Sequence, residues 1–193
     1  MLVKRGAIFL LIIFFSHNLW AGEIQGKVFT RKIKSLEDVL IYIEKLEGKD
    51  FLLSSNPPRL DQKKLVFIPR VLPILKGTTV EFHNSDTARH NVLGVGIDNF
   101  DLGTWGQGVT KPYTFNKLGE TAILCNVHTE MESFILVLQN PYFALADKEG
   151  NYKIENVPAG TYKLKTWNDK LKPQDKEVTI PAQGSVTVDF EFK

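Results

Sequence analysis

Leu124-Cys125-Asn126-Val127-His128-Thr129-Glu130-Met131 is the stretch on which the reading of this chain turns. A thiol, an imidazole and a thioether stand there at positions i, i+3 and i+6, between Glu120 to Leu124 and the apolar run Ser133 to Leu138. A further imidazole stands upstream in His90-Asn91-Val92. If the two flanking runs are strands, Cys125 ends one, His128 sits at the tip of the loop and Met131 returns at the start of the next. A single turn then presents three donors to one point. Two imidazoles, a thiolate and a weak thioether form the soft ligand set that suits copper in a trigonal electron-transfer site. The spacing predicts His90, Cys125 and His128 as strong ligands of one copper ion, with Met131 in the axial place.

Two other chemistries use similar residues. Zinc is poorly served by one thiolate with a thioether, compared with the Cys₄ or Cys₂His₂ sets of structural sites. A Cys-His nucleophile pair needs an orienting third group and an oxyanion loop, and no segment of the sequence signals either. Cys125 is the only cysteine, and apart from the initiator Met131 is the only methionine. An unpaired thiol in an oxidising compartment needs protection, which a buried metal-bound thiolate has. The bland alternative is a small buried hydrophobe.

Outward from this stretch the pattern is β. In Thr78 to Asn84, Val80 and Phe82 alternate with Glu81 and His83, so His83 is expected to face solvent rather than a metal. Asn84-Ser85-Asp86 reads as a polar turn leading into His90. Gly94, Gly96, Gly103, Gly106 and Gly108, set around Phe100 and Trp105, predict a long irregular loop, without the ordered spacing of a phosphate cradle. Tyr113 and Phe115 alternate toward a turn at Asn116 to Gly119, and Ser133 to Leu138 is apolar enough for a buried closing strand.

With these residues in view, the stretch from about Leu60 to Gln139, within a domain expected at 52–139, resembles a cupredoxin. The resemblance is carried by Gly77-Thr78-Thr79-Val80-Glu81-Phe82-His83-Asn84-Ser85-Asp86, by His90-Asn91-Val92, and by Cys125 through Met131. The short gap between His128 and Met131 is more similar to the amicyanin type than to the plastocyanin type. Val127 stands where the plastocyanin pattern has proline. The resemblance implies a Greek-key β-barrel or sandwich, one type 1 blue copper centre, and Asn91 behind the ligands, steadying the loop and the thiolate by hydrogen bonds.

The flanks carry a second pattern. Val39 to Ile43 is rich in β-branched residues and reads as a strand, although Leu36, Val39, Leu40, Ile43 and Leu46 also fit a helical spacing. Phe51 to Lys64, with Ser54-Ser55-Asn56-Pro57-Pro58, reads as a linker, and Asn140-Pro141 marks a second boundary. Beyond it, short strands are punctuated by turns at Asp147 to Asn151, Pro158 to Gly160 and Ala182 to Gly184. Ala146 to Ile154 and Val157 to Leu164 resemble the carboxypeptidase regulatory-like domains, small transthyretin-type sandwiches. Alone, this tail has a marginal core. Residues 22–48 and 140–193 are therefore expected to form one discontinuous sandwich with 52–139 inserted; alternatively, the N-terminal strands extend the cupredoxin sheet. Tyr152, Tyr162 and Trp167 could give an aromatic face for carbohydrate, but aromatics in small sandwiches are commonly core. Nothing else in the sequence supports carbohydrate binding.

Residues 1–21 read as a secretory signal peptide: Lys4 and Arg5, an apolar run from Ala7 to Phe15, and a small residue at Ala21 suited to cleavage there or at Gly22. An uncleaved anchor is the alternative. Losing Lys4 and Arg5 from 24 basic residues leaves them balanced against 22 acidic ones, which gives no general electrostatic case for nucleic acid or membrane lipid. The expectation is a periplasmic or secreted all-β copper protein that exchanges single electrons with a redox protein and is not an enzyme. A copper-delivery protein and a structural or carbohydrate-docking module are the other classes.

Overall fold

The computed structural model describes residues 21–193, so the expected signal peptide lies outside the described residues except for Ala21. The described chain is all β, with no helix. Seventeen strands follow in order: β1 Ala21–Thr30, β2 Leu40–Ile43, β3 Arg59–Lys63, β4 Val66–Ile68, β5 Val71–Leu75, β6 Thr79–Asn84, β7 His90–Gly96, β8 Phe100–Trp105, β9 Thr110–Thr114, β10 Gly119–Leu124, β11 Glu132–Leu138, β12 Phe143–Leu145, β13 Asn151–Pro158, β14 Gly160–Trp167, β15 Asp175–Ile180, β16 Ser185–Thr187 and β17 Phe190–Phe192.

Strands β3 to β11 make a Greek-key barrel of two sheets, in the orders β4-β3-β6-β9 and β5-β11-β10-β7-β8. The β3–β6 and β5–β11 pairs are parallel and the others antiparallel. The inward residues follow the period-2 rule: Leu60, Val80, Phe82, Val92, Ile123, Ile135 and Val137 fill the core with Phe115, Trp105 and the two sulfur residues Cys125 and Met131.

The remaining strands make a second, smaller β-sandwich. One sheet has the order β13-β1-β16, with β17 also on β1, and the other runs β12-β2-β14-β15. Among the described residues, β1 and β2 pair with strands from β12 onward and with none of β3 to β11. Ile24, Val28, Ile41, Ile43, Ile154, Leu164, Val178 and Phe190 form its core. The helical spacing around Leu36 to Leu46 loses to strand pairing, because Leu40 to Ile43 lies between β12 and β14.

A third apolar cluster joins the two units. Val71, Phe134, Leu136 and Leu138, on the outer face of the β5–β11 pair, meet Leu40, with Tyr42, Phe143, Leu145 and Trp167 packed against them. This explains why all of β11 after Glu132 is buried: Ile135 and Val137 face the barrel core while Phe134, Leu136 and Leu138 face the sandwich. At one side of the contact, the Arg70 guanidinium binds Asp169 at 2.6 Å, Asp38 at 3.2 Å and Glu132 at 3.4 Å. At another side, Gln139 clasps Leu46: its Oε1 accepts the Leu46 N–H and its Nε2 donates to the Leu46 carbonyl, both at 3.0 Å.

Two expectations need correction. The glycine-rich region is not one irregular loop, because Phe100 to Trp105 forms β8 and pairs with β7. Gly94 is a packing site: a Cβ there would lie 2.3 Å from the Phe100 ring, so glycine lets β7 and the aromatic ring close up. The linker read over Phe51 to Lys64 ends earlier, since Arg59 to Lys63 is β3, a largely polar strand that buries only Leu60 and Gln62.

Candidate metal centre

The donors converge at one end of the barrel. Antiparallel pairing of β7 with β10 sets Leu93 opposite Leu124, and pairing of β10 with β11 sets Leu124 opposite Glu132. The start of β7, the end of β10 and the start of β11 therefore meet, which brings together His90 at the head of β7, Cys125 just after β10 and Met131 just before β11. The loop between Cys125 and Met131 carries His128 and is closed by the Met131 N–H donating to the His128 carbonyl at 3.1 Å.

The ligating atoms of His90, Cys125 and His128 all lie within 4.8 Å of one another. The two Nδ1 atoms are 3.0 Å apart, and Cys125 Sγ is 4.0 Å from His90 Nδ1. Nitrogen and sulfur donors about 2.0–2.3 Å from a shared ion stand some 3–4.5 Å apart. The cluster has that scale. His90 and Cys125 are buried, whereas His128 is partly exposed, so one imidazole edge reaches the surface. Met131 is 1% exposed and lies in the same apolar cluster as Cys125.

Asn91 is tied in three ways. Its backbone N–H donates to Cys125 Sγ at 3.4 Å, its Oδ1 accepts the Asn126 N–H at 3.4 Å, and its Nδ2 donates to Asp101 Oδ1 at 2.7 Å. The Gly103 amide and then the Asn91 amide hold the Asp101 carboxyl below its usual range. A buried sulfur that accepts an N–H beside two imidazoles is a donor set that fits a soft cation.

Reading the sequence as a turn at Asn84 to Asp86 missed what Asp86 touches. Its Oδ2 lies 3.0 Å from His90 Nε2, the ring nitrogen that does not face His128 and Cys125. Burial pushes the Asp86 carboxyl up, but the Leu65 and Lys64 amides and His90 outweigh this and hold it below the usual carboxylate range. The available signal was an acidic residue four positions before His90. His83 stays outside the cluster, half-buried, with Nδ1 2.8 Å from Thr110 Oγ1. A cleft of about 600 Å³ on the sandwich, lined by Phe29, Arg31 and Lys193 among others, shares no residue with the centre.

A family model described as polysaccharide lyase family 4, domain II, matches residues 129–188. This takes the place of the carboxypeptidase regulatory-like resemblance of the tail, whose turn pattern is common to many small sandwiches. No curated protein sequence matches the chain. Among solved structures, the chain is similar to a Cu-containing nitrite reductase from Thermus scotoductus, at 29% identity over 51% of this chain and 25% of that one, TM-score 0.43. It is also similar to a purple cupredoxin from Nitrosopumilus maritimus, at 19% identity over 42% and 98%, TM-score 0.39. A reduced amicyanin variant matches at 21% identity over 44% and 85%, TM-score 0.40. The chain thus spans a quarter of the nitrite reductase. Among the described residues, no helix is long and apolar enough to cross a membrane.

Proposed function

We propose that this chain is an exported copper protein that holds one type 1 copper ion and passes single electrons to or from a redox protein, without being an enzyme. The observation that carries this reading is the meeting of two imidazole Nδ1 atoms with a buried Cys125 Sγ inside a 4.8 Å cluster. His90, Cys125 and His128 would be the strong ligands and Met131 the axial one. Copper in such a set supplies reversible one-electron chemistry. The chain's own part is to keep the donors in one arrangement. The buried strand ends fix His90 and Cys125, Asn91 ties the thiolate to the loop, and the partly exposed His128 gives electrons a way out toward a docked partner. Residues 52–139 act as the copper domain, and 22–48 with 140–193 as a β-sandwich that supports it. The reading of residues 1–21 as a signal peptide places the mature chain in the periplasm or outside the cell.

The test is direct. The mature chain loaded with Cu(II) is expected to show intense visible absorption and reversible one-electron reduction, both lost in Cys125→Ser. A colourless protein that prefers zinc would overturn the reading. Rapid surrender of the copper to a modest chelator would point instead to delivery, whereas a carrier keeps its metal.

A further inference from the structure

Resting on the copper reading, we propose that Asp86 is a positioning residue for the centre: its carboxylate orients His90 and links that imidazole to the tip of the β3–β4 hairpin. Asp86 Oδ2 and His90 Nε2 are 3.0 Å apart, with the two side chains 17% and 0% exposed. A carboxylate at Nε2 accepts a hydrogen bond from a ring proton held on that nitrogen. The lone pair then stands on Nδ1, the nitrogen that faces His128 Nδ1 and Cys125 Sγ. A carboxylate behind a ligating imidazole fixes its tautomer and raises its basicity.

The other contacts of Asp86 show why the carboxylate stays in place. Lys63 pairs with Val66, which leaves Lys64-Leu65 as a two-residue hairpin loop with φ values of 57° and 59°. Such a loop favours Asn-Gly, because the left-handed conformation crowds the Cβ of an ordinary residue. Here Asp86 Oδ1 accepts the Lys64 N–H at 2.6 Å and Oδ2 accepts the Leu65 N–H at 2.9 Å. The Asp86 N–H in turn donates to Asn84 Oδ1 at 2.8 Å and to the Gln62 carbonyl at 3.2 Å. The carboxylate is thus shared between an unfavourable turn and a metal-ligand imidazole. A negative charge held behind His90 favours the more highly charged copper state and lowers the reduction potential.

The experiment compares wild type with Asp86→Asn, each also in a Lys64→Asn/Leu65→Gly background where the hairpin is held by its own turn preference. Asp86→Asn is expected to weaken Cu(II) binding about 10-fold or more, as loss of a ligand's hydrogen-bond partner does. If Cu(I) binding is unchanged, a tenfold loss corresponds to a potential about 59 mV higher. The same shift in both backgrounds supports the His90 link. An unchanged potential, or a shift that vanishes in the redesigned hairpin, overturns it. In the metal-free chain, NMR is expected to find His90 protonated at Nε2, and an Nδ1-protonated ring would overturn the proposal whether or not copper binds. Failure of the copper reading is distinct: wild type itself would then lack the Cys125-dependent colour.

Discussion

Asn91 does more at the centre than its size suggests, because one residue satisfies the sulfur, the loop and a carboxylate together. Asn91→Ala keeps the backbone N–H on Cys125 but removes the acceptor of the Asn126 N–H and a donor to Asp101. Both partners are exposed and can turn to water, so a stability loss of only about 0.5–1.5 kcal/mol in urea unfolding is expected, the net worth of a hydrogen bond. At this scale the sequence was informative where chemistry restricts residue type. Only a few side chains bind soft metals, so His90, Cys125, His128 and Met131 stood out without any structure. Asp86 did not, because its partners Lys64, Leu65 and His90 come together only when a hairpin folds across the turn.

Among the elements, β8 and β11 mark the two limits of what alternation reveals. Strand β11 was legible because both its faces are apolar, whereas β8 was hidden because its inward positions are few and its neighbour across the sheet is glycine. The rule that glycines make loops failed at Gly94, where the missing Cβ is filled by Phe100, itself stacked on Tyr113 at 3.8 Å between ring centroids. Gly94→Ala forces that aromatic stack to move and is expected to cost about 1–3 kcal/mol, read from the unfolding midpoint. Strand β3 escaped notice for a different reason: Arg59, Asp61 and Lys63 are charged, and the buried Gln62 gives no apolar signal. Its hairpin carries the opposite opportunity, since Lys64→Asn/Leu65→Gly should stabilise the chain by about 1 kcal/mol through relief of left-handed strain. A fall in the unfolding midpoint would contradict this.

For the whole molecule, the third apolar cluster predicts that barrel and sandwich unfold together. Phe134 is buried there and lies 5.3 Å from Trp167 between ring centroids. Phe134→Ala is expected to cost about 3–5 kcal/mol and to split one thermal transition into two. Arg70 adds a charged fastening at the same contact. Burial raises the Asp169 carboxyl, but Arg70 outweighs it and holds it below its usual range. A depressed carboxyl stabilises the fold in full above the ordinary aspartate value, about 3.9, and less as pH falls through the lowered one. Arg70→Gln should therefore cost about 1 kcal/mol at neutral pH. Thermal melts across pH are expected to show that deficit closing below about pH 4. The contact itself was not legible, because Trp167 and Leu40 look like ordinary core residues until the sheets they face are known. The Gln139 clasp on Leu46 has a further consequence, for the order in which the chain can close. It holds together two points 93 residues apart in sequence, just where β2 ends and β12 is about to begin. Once the barrel has formed, the search that brings β1 and β2 to their late partners spans a short effective loop, so most of the closure entropy has already been lost.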